Sequence, residues 1–209
     1  MKHALFISAA AIAALSLAAC NKPAATTTDP SAENTTAAGA AVDKAQDATG
    51  AAVGVASAST VGSHDTAAFV SNASQSDMYE IEAAKIAQAR SKDANIKAFA
   101  KMMAADHTAT SKAMGPLATA AGQTPADKLD QRRQGFIDNL KTASDADFDK
   151  VYVDQQVAAH KEAMDLMTGY AKDGSDAGLK GAAASTAPKV QMHLEKITGI
   201  QTALAAAKK

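Results

Sequence analysis

The stretch "MMAADHTATSKAM", Met102–Met114, decides the fold. Its apolar residues return every three or four positions, the spacing of one face of an α-helix. Extended in both directions, that face collects Ile96, Phe99, Ala100, Met103, Thr110, Met114, Leu117 and Ala118. His107 stands near its centre, where the pattern calls for a leucine. The spacing predicts a helix from about Ala94, behind a capping Asp93, to Ala121, where Gly122 ends it.

The same period continues on either side. A first long helix is predicted from about Thr66 to Ser91, with Asp65 as its cap and "SKD" (Ser91–Asp93) as a tight link to the next. Thr124-Pro125 opens a shorter helix through about Lys141, since proline's missing N–H is harmless in a first turn. Ser144-Asp145-Ala146-Asp147 caps a third long helix ending near Asp173, before Gly174. A fourth runs from about Asp176 to Ala207. Pro116 and Pro188 fall inside two of these spans and each removes one hydrogen bond. No stretch alternates with period two, so no sheet is expected. Four long helices, two joined by short links, imply an all-α four-helix bundle. The long connection between the second and third carries its own short helix. It has the length to cross the bundle end to end, as in ferritin-like folds.

Each long helix turns one ionisable group inward or nearly so. The first carries Glu80 among Phe69, Ala73, Ala83, Ala84 and Ala87, while Glu82 points elsewhere. The second carries His107. The third has a broad arc (Phe148, Tyr152, Ala159, Ala163, Leu166, Met167, Tyr170) with His160 toward one edge, near Gln156. The fourth carries His193 among Ala183, Thr186, Val190, Leu194, Ile197, Ile200 and Leu204. All four groups lie within about two residues of their helix midpoints, or roughly 3 Å along the axis. If the helices are level, Glu80, His107, His160 and His193 meet in one layer. Two arrangements satisfy such a layer. One is a single metal ion, with zinc, iron, manganese and copper all compatible with imidazole and carboxylate ligands. The other is a metal-free polar layer with a trapped water that fixes helix register. Asp106 and Tyr152 are candidates to orient a ring nitrogen from behind, against the plainer roles of a solvated Asp and a core Tyr. Met102, Met103, Met114, Met164 and Met167 read as gap-fillers in a core short of large side chains rather than as copper ligands.

The N-terminus speaks to compartment. Lys2 precedes an apolar run, Ala4–Ala19, too short for a comfortable membrane span. The run ends in Leu17-Ala18-Ala19-Cys20, which resembles the lipobox of bacterial lipoproteins, where the signal is cut before an acylated cysteine. Residues 1–19 are therefore expected to be a signal peptide and Cys20 the lipidation site. Cys20 is the single cysteine of the chain, which excludes an internal disulfide. Asn21, in place of Asp, points by resemblance to the outer membrane, with the protein facing the periplasm. Residues 20–64 are rich in Ala, Thr, Ser and Gly and read as a flexible tether. About 45 such residues reach roughly 35–40 Å. Residues 65–209 form the bundle domain. The formal net charge is −1, with 21 basic against 22 acidic residues. No basic patch supports nucleic-acid binding, so the expected partner is the membrane, through lipid rather than charge.

The stretch Phe69–Met114 resembles the exported bacterial family catalogued as domain of unknown function four-one-four-two, often labelled an outer membrane protein. The resemblance rests on Glu80, on "FA-x-x-M-x-x-DH" at Phe99-Ala100, Met103 and Asp106-His107, and on "FD-x-x-Y" at Phe148-Asp149 and Tyr152. It continues in "Q-x-x-x-H" at Gln156 and His160, and in Pro188 followed by His193. The family's "LP" is Ala187-Pro188 here. The resemblance covers Asp65 to Gln201 and implies a ferritin-like fold. Ferritin-like di-iron enzymes carry Glu-x-x-His twice. Ala104, Val157 and Val190 stand three residues before His107, His160 and His193, so a di-iron oxidase is not expected. No nucleophile–base pair, phosphate loop or nucleotide motif supports another enzyme class. The sequence thus implies a lipid-anchored, periplasm-facing bundle, with a metal at its mid-layer serving metal handling or envelope stress. The alternative is a non-catalytic structural or interaction module with a metal-free layer.

Overall fold

A computed structural model describes residues 65–207; the signal peptide, Cys20 and the tether predicted before them lie outside the described residues. The described chain is helical, with no strand: α1 Thr66–Arg90, α2 Ala94–Ala120, α3 Gln131–Thr142, α4 Phe148–Asp173 and α5 Ala177–Ala207. Most local signals act as expected, though Asp147, at the head of α4, makes no side-chain capping bond and is paired with Ser144 instead. Asp65 accepts a hydrogen bond from the Ala68 amide, and Asp93 accepts from those of Asn95 and Ile96. Gly122 takes φ 71° after α2, and the Gln123 amide closes back onto the Ala118 carbonyl at 2.8 Å. Only glycine adopts that conformation without strain. Both α2 and α5 run on through their prolines.

The short helix starts later than the Pro125 reading places it. Residues 123–130 are irregular, and α3 opens at Gln131 with the Asp130 carboxylate on the Arg133 amide at 2.7 Å. The reason is tertiary. Ser74 and Gln75 of α1 accept from the backbone amides of Ala126 and Asp130 at 2.9 and 2.7 Å, which holds this segment against α1 in a non-helical form.

Residue contacts fix the direction of each helix. Thr66, opening α1, bonds Tyr170 near the end of α4, and Arg90, closing α1, reaches Leu140 and Ala143 just before α4 begins. So α1 and α4 are antiparallel. Asp106 of α2 meets both Lys189 and His193 of α5. The start of α2 (Asp93, Phe99, Met102) lines one groove with the end of α5 (Lys196, Ile200, Leu204), so these two are antiparallel as well. The order is up, down, down, up. The α2–α4 connection therefore travels the length of the bundle, climbing along α1 and α4 with α3 as its upper part. This is ferritin-like connectivity.

Ion pairs hold the crossover down. Buried Glu162 of α4 accepts from Arg132 at 2.7 Å and from Arg133 at 3.1 Å, and Arg133 also pairs with Asp130. Arg90 donates to the carbonyls of Leu140, Lys141 and Ala143 at 2.6, 3.1 and 2.6 Å, and its guanidinium lies 4.6 Å over the Phe148 ring. These are the carbonyls that a helix C-terminus leaves without intrahelical donors. Arg90→Ala is expected to cost about 2–3 kcal/mol of stability, read by urea unfolding. A loss under about 0.5 kcal/mol, the range of an ordinary surface change, would mean the crossover is held elsewhere.

The apolar core is in two parts. One, toward the α2 start, holds Tyr79, Ile96, Phe99, Met103, Tyr152 and Ile197. The other, toward the α1 start, holds Phe69, Met114, Leu166, Tyr170, Leu179 and Val190. Phe69 and Tyr170 stack there with centroids 3.9 Å apart. The predicted inward faces are buried or half-buried throughout. Between the two clusters lies a layer that is not apolar.

Candidate metal centre

That layer brings His107, His160 and His193 together. Their ring centroids are 6.0, 5.7 and 5.5 Å apart, a nearly equilateral triangle, and all three residues are buried. One ring nitrogen from each lies within 4.8 Å of the other two. The sequence puts His160 toward the edge of its arc; at 1 % exposure it is inside the bundle.

Each ring has one nitrogen committed. His107 Nδ1 lies 2.8 Å from Asp77 Oδ1, His193 Nε2 lies 2.9 Å from Asp106 Oδ2, and His160 Nδ1 lies 2.8 Å from the Gln156 carbonyl oxygen. A carbonyl or a carboxylate can only accept, so each of these nitrogens carries the proton and donates it. The other nitrogen of each neutral ring is then a bare lone pair. His107 Nε2, His160 Nε2 and His193 Nδ1 are all buried with no hydrogen-bond partner. Beside His107 and His193 a cavity of about 20 Å³ is lined by both rings, Asp77 and Met167 among others, though not by His160. That is room for an ion or one water. Three unpartnered lone pairs on rings packed this closely in a dry interior stay unsatisfied unless something electrophilic sits among them. A water has two protons to offer, one fewer than the three acceptors need. A transition-metal cation satisfies all three, and an acceptor behind each ligating ring, taking its other N–H, is the usual support of such sites.

The fit to zinc can be checked. Tetrahedral Zn–N bonds of 2.0–2.1 Å put ligand nitrogens about 3.4 Å apart. The widest pair here is within 4.8 Å, so loading asks it to close by at most about 1.4 Å.

The family model "Domain of unknown function (DUF4142)" matches residues 50–200. The chain belongs to this family. No curated protein and no solved structure gave a match. In this DUF4142 domain the matched region includes all of α1 to α4 and α5 through Ile200, hence every residue of the layer.

Glu80 lies in the layer but outside the group of three. Its Oε1 is 3.8 Å from His160 Nδ1, the committed nitrogen, and its Oε2 is buried without a partner. Burial pushes its carboxyl up to about 7, against the pull of the His107 charge and the Gln156 amide. On α1 the carboxylate that does hydrogen-bond a ring is Asp77, one turn earlier, which the sequence reading missed. Ala73, Asp77, Glu80 and Ala84 run at spacings of four, three and four, so Asp77 was visible as a second acid on the inward face. Asp106 sits behind His193 as the second helix's spacing allows, and Lys189 Nζ holds its other oxygen at 3.3 Å. Tyr152 takes the plainer role. Its ring is buried beside Phe148, and its hydroxyl has no partner. Among the methionines, Met103, Met114 and Met167 are buried in the two clusters, and Met102 and Met164 lie against them.

The charges around each ring differ. Burial works against protonating His107, but the Asp77 hydrogen bond and the charges of Glu80, Asp77 and Asp106 outweigh it and raise its pKa. Burial and then the charge of His107 push His160 down to about 3. Burial likewise lowers His193, with Asp106 opposing. His160 and His193 are thus held neutral, the form that ligates a metal.

Proposed function

We propose that this DUF4142 domain binds one transition-metal ion among His107, His160 and His193, as part of a protein anchored to the cell envelope through acylated Cys20. The anchor and the facing of the periplasm, from the outer membrane, rest on the Leu17–Cys20 pattern and Asn21. The metal rests on one observation: three clustered rings, one nitrogen of each within 4.8 Å of the others, each ring tied back through one nitrogen with its second left without a partner. Three imidazoles suit zinc or copper best, and iron or manganese less well, because no carboxylate belongs to the group. Three protein ligands leave one coordination position for water. The three rings are buried and the cavity beside His107 and His193 is only about 20 Å³, which favours a role in metal handling in the envelope, or its defence under stress, over chemistry on an organic substrate.

Metal analysis of the purified chain tests this. About one equivalent of a single transition metal is expected after loading and dialysis. Less than about a tenth of an equivalent, before and after loading with zinc and copper, would end the proposal. One observation favours the metal-free polar layer instead. Asp77, Glu80 and Asp106 together favour a charged His107, whose Nε2–H could then donate to a neighbouring ring. In that case the chain loads no metal, and adding a chelator does not move its melting temperature.

A further inference from the structure

The three rings are buried, yet an ion must reach them, and a bare cation does not cross apolar side chains. Two ways in are visible. One is the α2–α5 seam, where half-buried Thr110 and Thr186 line the small cavity beside His107 and His193. That seam carries the Lys189 ammonium, which lines the same cavity and sits 3.3 Å from Asp106. A cation coming that way meets a like charge. The other begins in a cavity of about 220 Å³ between α1, α2 and the start of the crossover, lined in part by Met78, Ser111, Met114, Gly115 and Pro125. No basic residue lines it, and Asp77 is its one acid. Asp77 and Ala73 line both cavities, so the Asp77 carboxylate stands between the larger space and the rings.

We propose that the larger cavity is the vestibule through which a divalent transition-metal cation reaches the three-histidine centre, with Asp77 as the carboxylate at its inner end. This rests on the metal-binding reading above. Asp77 is placed for the part. Its Oδ1 takes the His107 Nδ1–H, and its Oδ2 takes the hydroxyl of Ser111, an exposed residue on the vestibule wall, at 2.9 Å. A cation arriving on the Ser111 side meets the carboxylate first and the ring behind it second. The Met78 and Met114 thioethers are soft, weak ligands, suited to passing a borderline or soft cation inward without retaining it. Asp77 is a positioning residue for His107 in the loaded state and a transit ligand during loading.

The test is kinetic, with Co²⁺ as the probe, because its visible bands report tetrahedral binding. The full chain is mixed with Co²⁺ in a stopped-flow instrument, and release is followed with excess chelator. Gly115 lines the vestibule and a Cβ there would meet nothing within 4 Å, so a side chain can start from this position, and Gly115→Leu narrows the space. It is expected to slow loading and release by at least about tenfold each, leaving the equilibrium affinity within about threefold of the parent. Met78→Lys places a like charge in the path. It is expected to slow loading, and added salt should relieve the effect. Should Gly115→Leu lose its helical circular dichroism, Met78→Lys decides alone. Parental loading rates in both variants, or faster loading in Lys189→Gln, would move the path to the α2–α5 seam and overturn the proposal. A parent chain that never takes Co²⁺ removes the metal centre itself, a failure distinct from a wrong route.

Discussion

His160→Leu is expected to abolish metal loading while leaving the metal-free protein as stable as the parent or more so. The ring is 1 % exposed, 6.0 Å from Phe99, and its Nε2 has no partner. Burial holds its pKa near 3, so at neutral pH it is an uncharged ring with an unmet lone pair. A buried acceptor without a donor costs about 1–3 kcal/mol. Leucine removes that cost and fills a similar volume. Nor does it orphan the Gln156 carbonyl, which already accepts the helical amide four residues on. Replacing a poorly satisfied buried polar cluster by apolar side chains is often neutral or stabilising. Metal affinity moves the other way. Losing a supporting residue behind a ligand costs about 10–100-fold, and losing the ligand itself should cost more. Urea unfolding in chelator and competition with a metal indicator read the two effects. If the variant still loads metal, the ion does not sit among these rings. If metal-free stability drops by more than about 3 kcal/mol, the cost of breaking a well-satisfied buried network, the layer is already complete without metal.

Glu80→Gln should stabilise the metal-free protein in alkaline solution and not in acid. The Glu80 carboxyl is raised by burial from 4.5 to about 7. Between those values the folded chain keeps a proton that the unfolded chain has released. Stability therefore falls as pH rises through this window, and the loss is complete above about 7. His160 works in the opposite sense. Its pKa is depressed from 6.5 to about 3, so in that window the unfolded chain binds the extra proton and stability falls as pH drops. The two opposing slopes overlap between 4.5 and 6.5, which leaves a broad maximum there. Glutamine cannot ionise, so it removes the alkaline loss and leaves the acid loss. One pKa unit is worth about 1.4 kcal/mol, which puts the gain at pH 8 at about 3 kcal/mol relative to that at pH 4.5. Paired urea titrations at the two pH values, in chelator, measure it. Equal effects at both would mean that burial does not raise the Glu80 carboxyl in the folded protein.

Helical periodicity was enough to read the inward faces. Ile96, Phe99, Met103, His107 and Met114 follow one stripe, and the structure buries all five. Asp65, Asp93 and Gly122 marked helix ends because caps are local chemistry, settled within four residues. Pro125 misled for the same reason in reverse. It is a good first-turn residue, but Ser74 and Gln75, some fifty positions away, hold that segment in a non-helical form. Midpoint heights brought the three histidines to one level without knowledge of topology. Asp77 escaped because its importance lies in its partner on another helix rather than in its own spacing.

The sequence by itself determined the four long helices, their lengths, their inward faces and the polar residues that share one height. Those properties depend on a period of 3.6 residues and on caps, which each segment carries alone. Only the tertiary structure decided that the bundle runs up, down, down, up, that Asp77 rather than Glu80 backs His107, and which nitrogen of each ring faces inward. An imidazole has two nitrogens, and the one left free is set by the acceptor the other one finds. For His107 and His193 that acceptor comes from a neighbouring helix, and for His160 from its own backbone once the ring is turned inward. No local pattern records that choice.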